Sequence, residues 1–303
     1  MSSLSSGSQP VAAFRGGLGF AFLSYGLFSV ADVSVKAIGT RLSVYEVSFF
    51  LAVFSLVALP FAKDRNDSWR GILIMRRPAL VLFRSLSGTL AGVFSILALT
   101  HVPIAEAYAV VFIAPILALV LSVVFLSEVV GWRRWSSVVA GILGVLIVMR
   151  PGFREIEFGH LAALAAAFFV ATSIICLRVL GPSERPVTIF AVLALINFVA
   201  IVPPMLVTGL TAPTLVEWAL LILAGVVAGA AQLLLQAATR RAPANQIAPL
   251  QYSQLGWAIL YGALFFAELP DAWTIVGLVF VVASGLVLIQ RRPETVVVMP
   301  GTL

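Results

Sequence analysis

The sequence alternates between long apolar runs and short breaks of polar, proline or glycine residues along almost its whole length. A helix of about 20 apolar residues is long enough to cross the hydrocarbon core of a bilayer. Dividing the chain at the breaks predicts ten membrane-spanning helices, at residues 14–38, 43–62, 79–100, 104–127, 132–149, 158–178, 186–207, 214–238, 243–267 and 270–290. The expected fold class is an all-α integral membrane protein without a soluble domain.

Composition supports a chain that lies mostly in the membrane. Of the 303 residues, 61% are hydrophobic and 11% are charged, and the mean hydropathy is +1.09. Soluble domains are about 45–50% apolar and about 25% charged. The net charge of +6 does not indicate nucleic-acid binding, because the basic residues form short clusters between apolar runs.

The distribution of lysine and arginine predicts the orientation in the membrane. With the N-terminus in the cytoplasm, 14 of the 19 basic residues fall in cytoplasmic segments and 4 fall on the opposite side. Basic residues accumulate on the cytoplasmic side of membrane proteins. Residues 1–13, which do not resemble a secretory signal, and residues 291–303 are therefore expected to be cytoplasmic tails.

Two segments repeat the same frame at an offset of 140 residues. Residues 103–128 read PIAEAYAVVFIAPILALVLSVVFLSE, and residues 243–268 read PANQIAPLQYSQLGWAILYGALFFAE. Each starts at proline and ends at glutamate, Glu128 or Glu268. Each copy of the repeat holds five predicted spans, and because five is odd the second copy enters the membrane from the other side. Inverted repeats of this kind recur in secondary transporters that work by alternating access.

This frame, followed by a glycine-containing last span (GILGVLIVM at 141–149 and ASGLVLI at 283–289), resembles the EamA-type repeat of the drug/metabolite transporter superfamily. The resemblance covers residues 14–150 and 158–290. It implies ten helices in a 5+5 inverted arrangement around a central cavity, and export or uptake of small organic metabolites across a bacterial inner membrane. Overall similarity favours aromatic amino-acid exporters (YddG-like), while branches that carry riboflavin or S-adenosylmethionine remain alternatives.

Four ionisable residues lie deeper within predicted spans, where a charge costs free energy and usually faces a cavity or a partner. Asp32 and Lys36 are four residues apart and are candidates for an ion pair. Arg84 either lines a site or extends its side chain to the headgroups. Glu106 either binds a ligand or stabilises the start of its helix. Glu128 and Glu268 are interpreted as boundary caps.

An amino-acid substrate would need an acceptor for its ammonium group, a donor for its carboxylate and a box for its side chain. Asp32 or Glu106 is the candidate acceptor, and Lys36 or a helix N-terminus is the candidate donor. Buried amides are costly without partners, so glutamines within spans are further candidates. The remaining predicted substrate-binding residues are Tyr25, Phe28, Arg84, Tyr108, Phe112, Gln232, Gln236, Gln251, Gln254, Trp257 and Tyr261.

Two prolines within the repeated spans, Pro115 and Pro249, are predicted hinges, because proline removes a backbone hydrogen bond and kinks a helix. No catalytic motif, nucleotide-binding loop or metal-ligand spacing is present in the sequence, so neither an enzyme nor a cofactor is expected. A channel is disfavoured because no filter-like loop recurs. The expected partners are a small-molecule substrate and membrane lipid. Proton coupling through Asp32 or Glu106, facilitated diffusion and any oligomeric state remain open.

Overall fold

A computed structural model describes residues 11–62, 71–127, 131–150, 155–180, 183–239, 241 and 247–289. Short 3-10 turns cover Leu56–Ala58 and Ala248–Tyr252. The α-helices are α1 Val11–Ile38, α2 Val44–Ser55, α3 Leu59–Ala62, α4 Pro78–His101, α5 Ile104–Val111, α6 Ala114–Leu126, α7 Trp132–Met149, α8 Phe158–Leu180, α9 Pro186–Thr208, α10 Leu215–Thr239, α11 Ser253–Phe266 and α12 Ala272–Ile289. This part of the chain contains no strand, which confirms the all-α prediction for it.

Seven helical segments of the described chain are long and apolar enough to cross a membrane. They are Gly17–Ile38, Val44–Phe61, Pro78–His101, Ile104–Leu126, Phe158–Leu180, Val187–Thr208 and Leu215–Leu235, and shorter apolar helices cover Trp135–Met149 and Ala272–Val287. Every one of the ten predicted ranges overlaps a helix. The count of ten crossings and their directions stay predictions.

The fourth predicted span is interrupted near its middle. Helix α5 ends at Val111, and α6 begins at Ala114. Between them, the N–H of Ile113 bonds the carbonyl of Val110 at 3.1 Å, which is the tighter spacing of a 3-10 turn. Pro115 stands in the first turn of α6, where its missing N–H leaves the carbonyl of Val111 without the usual donor. Pro249 similarly stands at the start of the 3-10 turn before α11.

The helices of residues 14–150 (the first half) pack mainly against those of residues 158–290 (the second half). Helix α1 packs on α10, α4 on α8, α2 on α10, α4 on α9, α2 on α9 and α7 on α12. Exchanging the two halves in chain order converts four of these pairs into one another and returns the α2–α9 and α7–α12 pairs to themselves. This set of six contacts is therefore unchanged by the exchange.

Two carboxylates make contacts that are also equivalent when the two halves are exchanged. Glu46, in the first turn of α2, accepts a hydrogen bond from the N–H of Thr211 at 2.7 Å, just before α10. Glu184, just before α9, accepts bonds from the N–H groups of Arg76 and Arg77, each at 2.7 Å, just before α4. Each half therefore supplies an acceptor to the loop that precedes the third span of the other half.

Two arginines repeat this arrangement. Arg41 donates to the carbonyl of Ala212 at 3.1 Å and also pairs with Glu217 at the start of α10. Arg185 donates to the carbonyl of Gly71 in the segment before α4. Side chains of both halves thus tie the ends of α4 and α10 to the opposite half.

Candidate functional site

A cavity of about 420 Å³ lies between the two halves. Helices α1, α2 and α4 contribute its wall from the first half, and α9 and α10 contribute its wall from the second. Its lining residues are Phe28, Ala52, Ser55, Arg84, Gly92, Ile189, Phe190, Leu193, Ala194, Asn197, Ala228, Gly229 and Gln232. Pockets that hold small molecules commonly measure about 300–1,000 Å³, so the cavity has the size of a ligand site.

Arg84 is the charged residue among these lining residues. Its nitrogens Nε and Nη1 are buried and have no hydrogen-bond partner in the described structure. The thiol of Cys176 on α8 interacts with it electrostatically, but a thiol is mostly neutral near pH 7 and supplies no counter-charge. Both nitrogens lie inside the described fold, next to the cavity wall to which Arg84 belongs.

The polar lining of the cavity is neutral apart from Arg84. Asn197 on α9, Gln232 on α10 and Ser55 on α2 provide amide and hydroxyl groups. No aspartate or glutamate is among the described lining residues. The cavity therefore carries a net positive charge, and its wall offers several neutral hydrogen-bonding groups.

Apolar groups supply the rest of the wall. Phe28 and Phe190 contribute rings from opposite halves. Gly92 on α4 faces open space, because a Cβ placed there would meet no atom within 4 Å. On the opposite wall, a Cβ at Gly229 would lie 3.0 Å from the Cβ of Ala58, so that glycine permits close packing of α10 on the first half. Gly229 therefore serves helix packing, whereas Gly92 leaves space in the cavity.

A second polar cluster begins one helical turn beyond Phe28. The hydroxyl of Tyr108 donates to the carboxylate of Asp32, and the side chains of Ser29 and Gln254 also interact with that hydroxyl. The ring of Tyr108 stacks on Phe112 with centroids 5.5 Å apart. The structure thus brings Asp32, Tyr108, Phe112 and Gln254 together, but beside the cavity rather than among its lining residues.

Lys36 belongs to a different site from the one predicted. Its ammonium lies 2.9 Å from a carboxylate oxygen of Glu268 and donates to the carbonyls of Val102 at 2.8 Å and Leu99 at 3.3 Å. An ammonium has three donors, and all three are occupied here. The candidate pair of Lys36 with Asp32 is therefore not formed, because longer-range partners take both side chains.

Glu106 is paired with a residue that had no predicted role. Its carboxylate oxygen lies 2.9 Å from Nε2 of His160 on α8, and both side chains are buried. Glu106 lies in the first turn of α5, so it also fits the predicted stabilisation of a helix start. Together, α5 and α8 hold a buried acid and imidazole in contact.

The aromatic residues of α11 form a ladder on the outer side of the bundle. Trp257 stacks on Tyr261 with centroids 5.8 Å apart and contacts Phe22 at 5.9 Å. Phe22 is 47% exposed, and the next ring of the ladder, Phe265, is 66% exposed. Trp257 and Tyr261 are half-buried, and none of these rings is among the lining residues of the cavity.

The other predicted positions are distributed around the cavity. Tyr25 is buried in a small apolar cluster with Ala21, Ala238 and Ile247, and Gln251 lies on the 3-10 turn before α11. The side chains of Gln236 and Pro249, together with Glu128, lie outside the described residues. Among the predicted binding residues, the structure places Phe28, Arg84 and Gln232 on the cavity wall.

The sequence interpretation missed Ser55, Phe190 and Asn197. These residues lie on α2 and α9, two cavity-lining helices on which the sequence predicted no binding residue. Asn197 carried a usable signal, since it is a lone amide in the apolar run FAVLALINFVAIV. An amide in lipid is costly without a partner or a cavity.

The chain matches a known family over both halves. The model of the EamA-like transporter family matches residues 15–150 and again residues 157–290. The S-adenosylmethionine uptake transporter of Rickettsia bellii is 30% identical over 283 residues, covering 92% of this chain and 94% of that protein. The pseudopaline exporter CntI of Pseudomonas aeruginosa is 27% identical over 282 residues, covering 92% of this chain and 97% of that protein.

One further relative is also named as a transporter, and one solved structure has a similar fold. The riboflavin transporter of Rhizobium johnstonii is 28% identical over 239 residues, covering 78% of each chain. A solved crystal structure with 16% identity superposes with a TM-score of 0.61 over 91% of this chain and 96% of the other, which supports the fold. The chain is a multi-pass membrane protein and a transporter of small metabolites, not an enzyme. It belongs to the EamA-like transporter family of the drug/metabolite transporter superfamily.

Proposed function

We propose that the protein is a secondary carrier that moves a small organic metabolite by alternating access between its two halves. The observation that carries this proposal is the cavity between the halves, which holds a buried arginine without a hydrogen-bond partner on Nε or Nη1. Carriers with repeated halves bind substrate at the interface of the repeats. The symmetric helix contacts and the exchanged loop contacts support ten spans in a 5+5 inverted repeat.

The proposed orientation follows from the basic residues. Both termini lie in the cytoplasm of a bacterial cell, and the chain lies in the inner membrane. Rocking of one half against the other opens the cavity to each side in turn. The interruption at Pro115 and the 3-10 turn at Pro249 are the proposed hinges, because their backbones already lack regular helical hydrogen bonds.

Two substrate classes are proposed. The first is amino acids with aromatic side chains, moved outward, with Phe28 and Phe190 as walls. The second is S-adenosylmethionine or riboflavin, moved inward, and the named activities of the relatives in Rickettsia bellii and Rhizobium johnstonii favour it. We rank the second class first, because no aromatic residue of the α11 ladder is among the lining residues of the cavity.

Flux into proteoliposomes tests the carrier proposal. Purified protein is reconstituted, and uptake of radiolabelled S-adenosylmethionine, riboflavin and phenylalanine is followed with and without a preloaded unlabelled substrate. Saturable uptake that is accelerated by the preloaded substrate supports a carrier. Absence of saturable flux for all three, with correctly inserted protein, would sink the proposal.

A pH gradient separates proton coupling from facilitated diffusion. Asp32 is the proposed proton carrier, because its carboxylate is held by Tyr108 one turn from the cavity. If coupling exists, Asp32→Asn abolishes the acceleration of uptake by the gradient and leaves exchange intact. Acceleration that survives in Asp32→Asn assigns coupling to another group, of which the Glu106–His160 pair is the next candidate.

A further inference from the structure

Arg84 stands out among the charged groups of the described spans because its environment lacks an acid. The guanidinium has five donors in a planar fork and remains charged in proteins. Nε and Nη1 are buried without hydrogen-bond partners, and the described lining of the cavity contains no carboxylate. Membrane proteins rarely hold such a charge without a pathway or ligand that uses it.

The surroundings of Arg84 match one end of an organic acid. Asn197 and Gln232 line the same cavity and add neutral hydrogen-bonding groups, while Phe28 and Phe190 add apolar surface. A planar guanidinium binds a carboxylate through two parallel hydrogen bonds, and burial strengthens that attraction. A ligand without an acid group would leave the positive charge of the arginine uncompensated.

We infer that Arg84 binds a carboxylate of the transported metabolite and that the carrier therefore selects carboxylate-bearing substrates over their decarboxylated analogues. This inference rests on the proposed function and assigns one part of its binding site. It revises the predicted donor from Lys36, whose ammonium is already occupied by Glu268 and two carbonyls, to Arg84. Among the substrate candidates it favours amino acids and S-adenosylmethionine, which have a carboxylate, over riboflavin, which has none.

An oxyanion at Arg84 has two conceivable sources, a soluble metabolite or a lipid phosphate. The cavity is lined from both halves, and the described guanidinium nitrogens Nε and Nη1 are buried rather than facing the lipid region. We commit to the soluble carboxylate. Binding measured in neutral detergent, with and without added phosphatidylglycerol, separates the sources, because a lipid occupant would compete with the metabolite.

The test compares ligands that differ only by the carboxylate. S-adenosylmethionine is paired with its decarboxylated form, and phenylalanine is paired with phenethylamine. Affinities are measured by calorimetry on the full-length protein in detergent, for wild type, Arg84→Lys, Arg84→Gln and Arg77→Gln. Arg77 is the matched control, since it is an exposed arginine preceding the same helix, outside the cavity.

For at least one ligand pair, the wild-type protein should bind the carboxylate-bearing ligand about 30-fold more tightly than its decarboxylated analogue. That ratio is the one expected from a hydrogen bond to a charged group. Arg84→Gln should reduce that preference to about threefold or less, and Arg84→Lys should fall between, since lysine keeps the charge without the fork. Arg77→Gln should keep the wild-type preference.

Three results would overturn the inference: an acid preference retained in Arg84→Gln, binding of no carboxylate by wild type, or loss of carboxylate binding on addition of phosphatidylglycerol. A misfolded Arg84→Gln variant leaves Arg84→Lys to decide. Saturable flux in wild type that ignores the carboxylate contradicts this inference alone. Absence of any saturable flux contradicts the carrier proposal.

Discussion

Two cations within the spans of this protein have opposite surroundings. The Lys36 ammonium touches Glu268 at 2.9 Å and two backbone carbonyls, and it lies 5.4 Å from the centre of the Phe266 ring. The Arg84 guanidinium has two buried nitrogens without partners and borders a cavity. Burying either charge in a membrane span costs free energy, but only the charge of Lys36 is compensated by partners within the described fold.

The difference separates structural charge from functional charge. Lys36 joins α1 to the ends of α4 and α11, and Glu268 also accepts the N–H of Ile104 at 3.3 Å. That network holds four segments together. Arg84 holds none of its neighbours through Nε or Nη1, so the ligand is the natural partner for those donors. The same comparison predicts opposite effects of removing each charge.

The largest expected effect is on the paired site. Lys36→Met leaves the Glu268 carboxylate, whose side chain is 26% exposed, without its cation. Removing one partner of a largely buried ion pair costs about 3 kcal/mol of the free energy of unfolding. Thermal melting in detergent, calibrated by denaturant unfolding, measures the loss.

A double variant sharpens the test of Lys36. Lys36→Met combined with Glu268→Gln removes the unpaired charge while keeping an acceptor for Ile104, and it should recover about half of the loss. Glu268→Gln alone, which strands the ammonium, should cost about as much as Lys36→Met. If Lys36→Met melts like wild type, the pair is not a structural element.

Two glycines, Gly225 and Gly92, allow the same comparison for side-chain volume instead of charge. A Cβ at Gly225 would lie 2.5 Å from the Cβ of Phe54, so Gly225→Ala forces α10 away from α2 and should cost about 2 kcal/mol. A Cβ at Gly92 meets nothing within 4 Å, so Gly92→Ala should leave the melting temperature unchanged or slightly raised.

Larger residues at Gly92 then probe the cavity itself. Gly92→Leu fills part of the cavity that Arg84 also lines, and it should reduce substrate affinity while the protein stays folded. The measurement is ligand binding together with melting. A Gly92→Leu protein that binds substrate like wild type would remove the cavity from the substrate path.

Arg84 should show a smaller change of opposite sign. Replacing an unpaired buried ion by a well-packed apolar side chain often stabilises, so Arg84→Met should raise the free energy of unfolding of the ligand-free protein by about 1 kcal/mol. The same substitution should abolish stabilisation by a bound carboxylate. Melting curves with and without ligand give both values, and a strong loss of stability without ligand would reclassify Arg84 as structural.

The partly exposed ion pair of Arg150 and Asp271 should show the smallest loss of stability in this series. The two side chains lie 2.6 Å apart and are 23% and 47% exposed. Asp271→Asn keeps an oxygen for the N–H of Thr274 and removes only the charge, so the expected loss is about 0.5 kcal/mol. Salt should screen it, and a loss that persists in concentrated salt would show that the pair is not electrostatic.

The sequence was enough to predict the helices and the family, because apolar runs and a repeated frame are local signals. It was enough to single out Arg84, since a charge in an apolar span is conspicuous. The partner of Lys36 lies 232 residues away and depends on how α1, α4 and α11 meet. No spacing along one helix encodes that contact, so the nearer Asp32 was an expected but incorrect choice.

The cavity wall was harder to predict for the same reason. The middle turns of α2 and most of α9 are apolar, and the part that these helices play in the wall comes from their packing against each other. Phe190 and Ser55 resemble lipid-facing or packing residues until the neighbouring helices are known. Asn197 is the exception, since an isolated amide in such a run already indicates a polar environment.

The exchanged loop contacts also have a consequence for biogenesis. The N–H groups of Arg76 and Arg77 find their acceptor in Glu184, which the ribosome adds about a hundred residues later. The N-terminal end of α4 therefore lacks this acceptor when the first half leaves the translocon. The second half supplies the acceptor when it is inserted. Halves synthesised as separate polypeptides should be short-lived alone and should recover together when both are inserted in the same membrane.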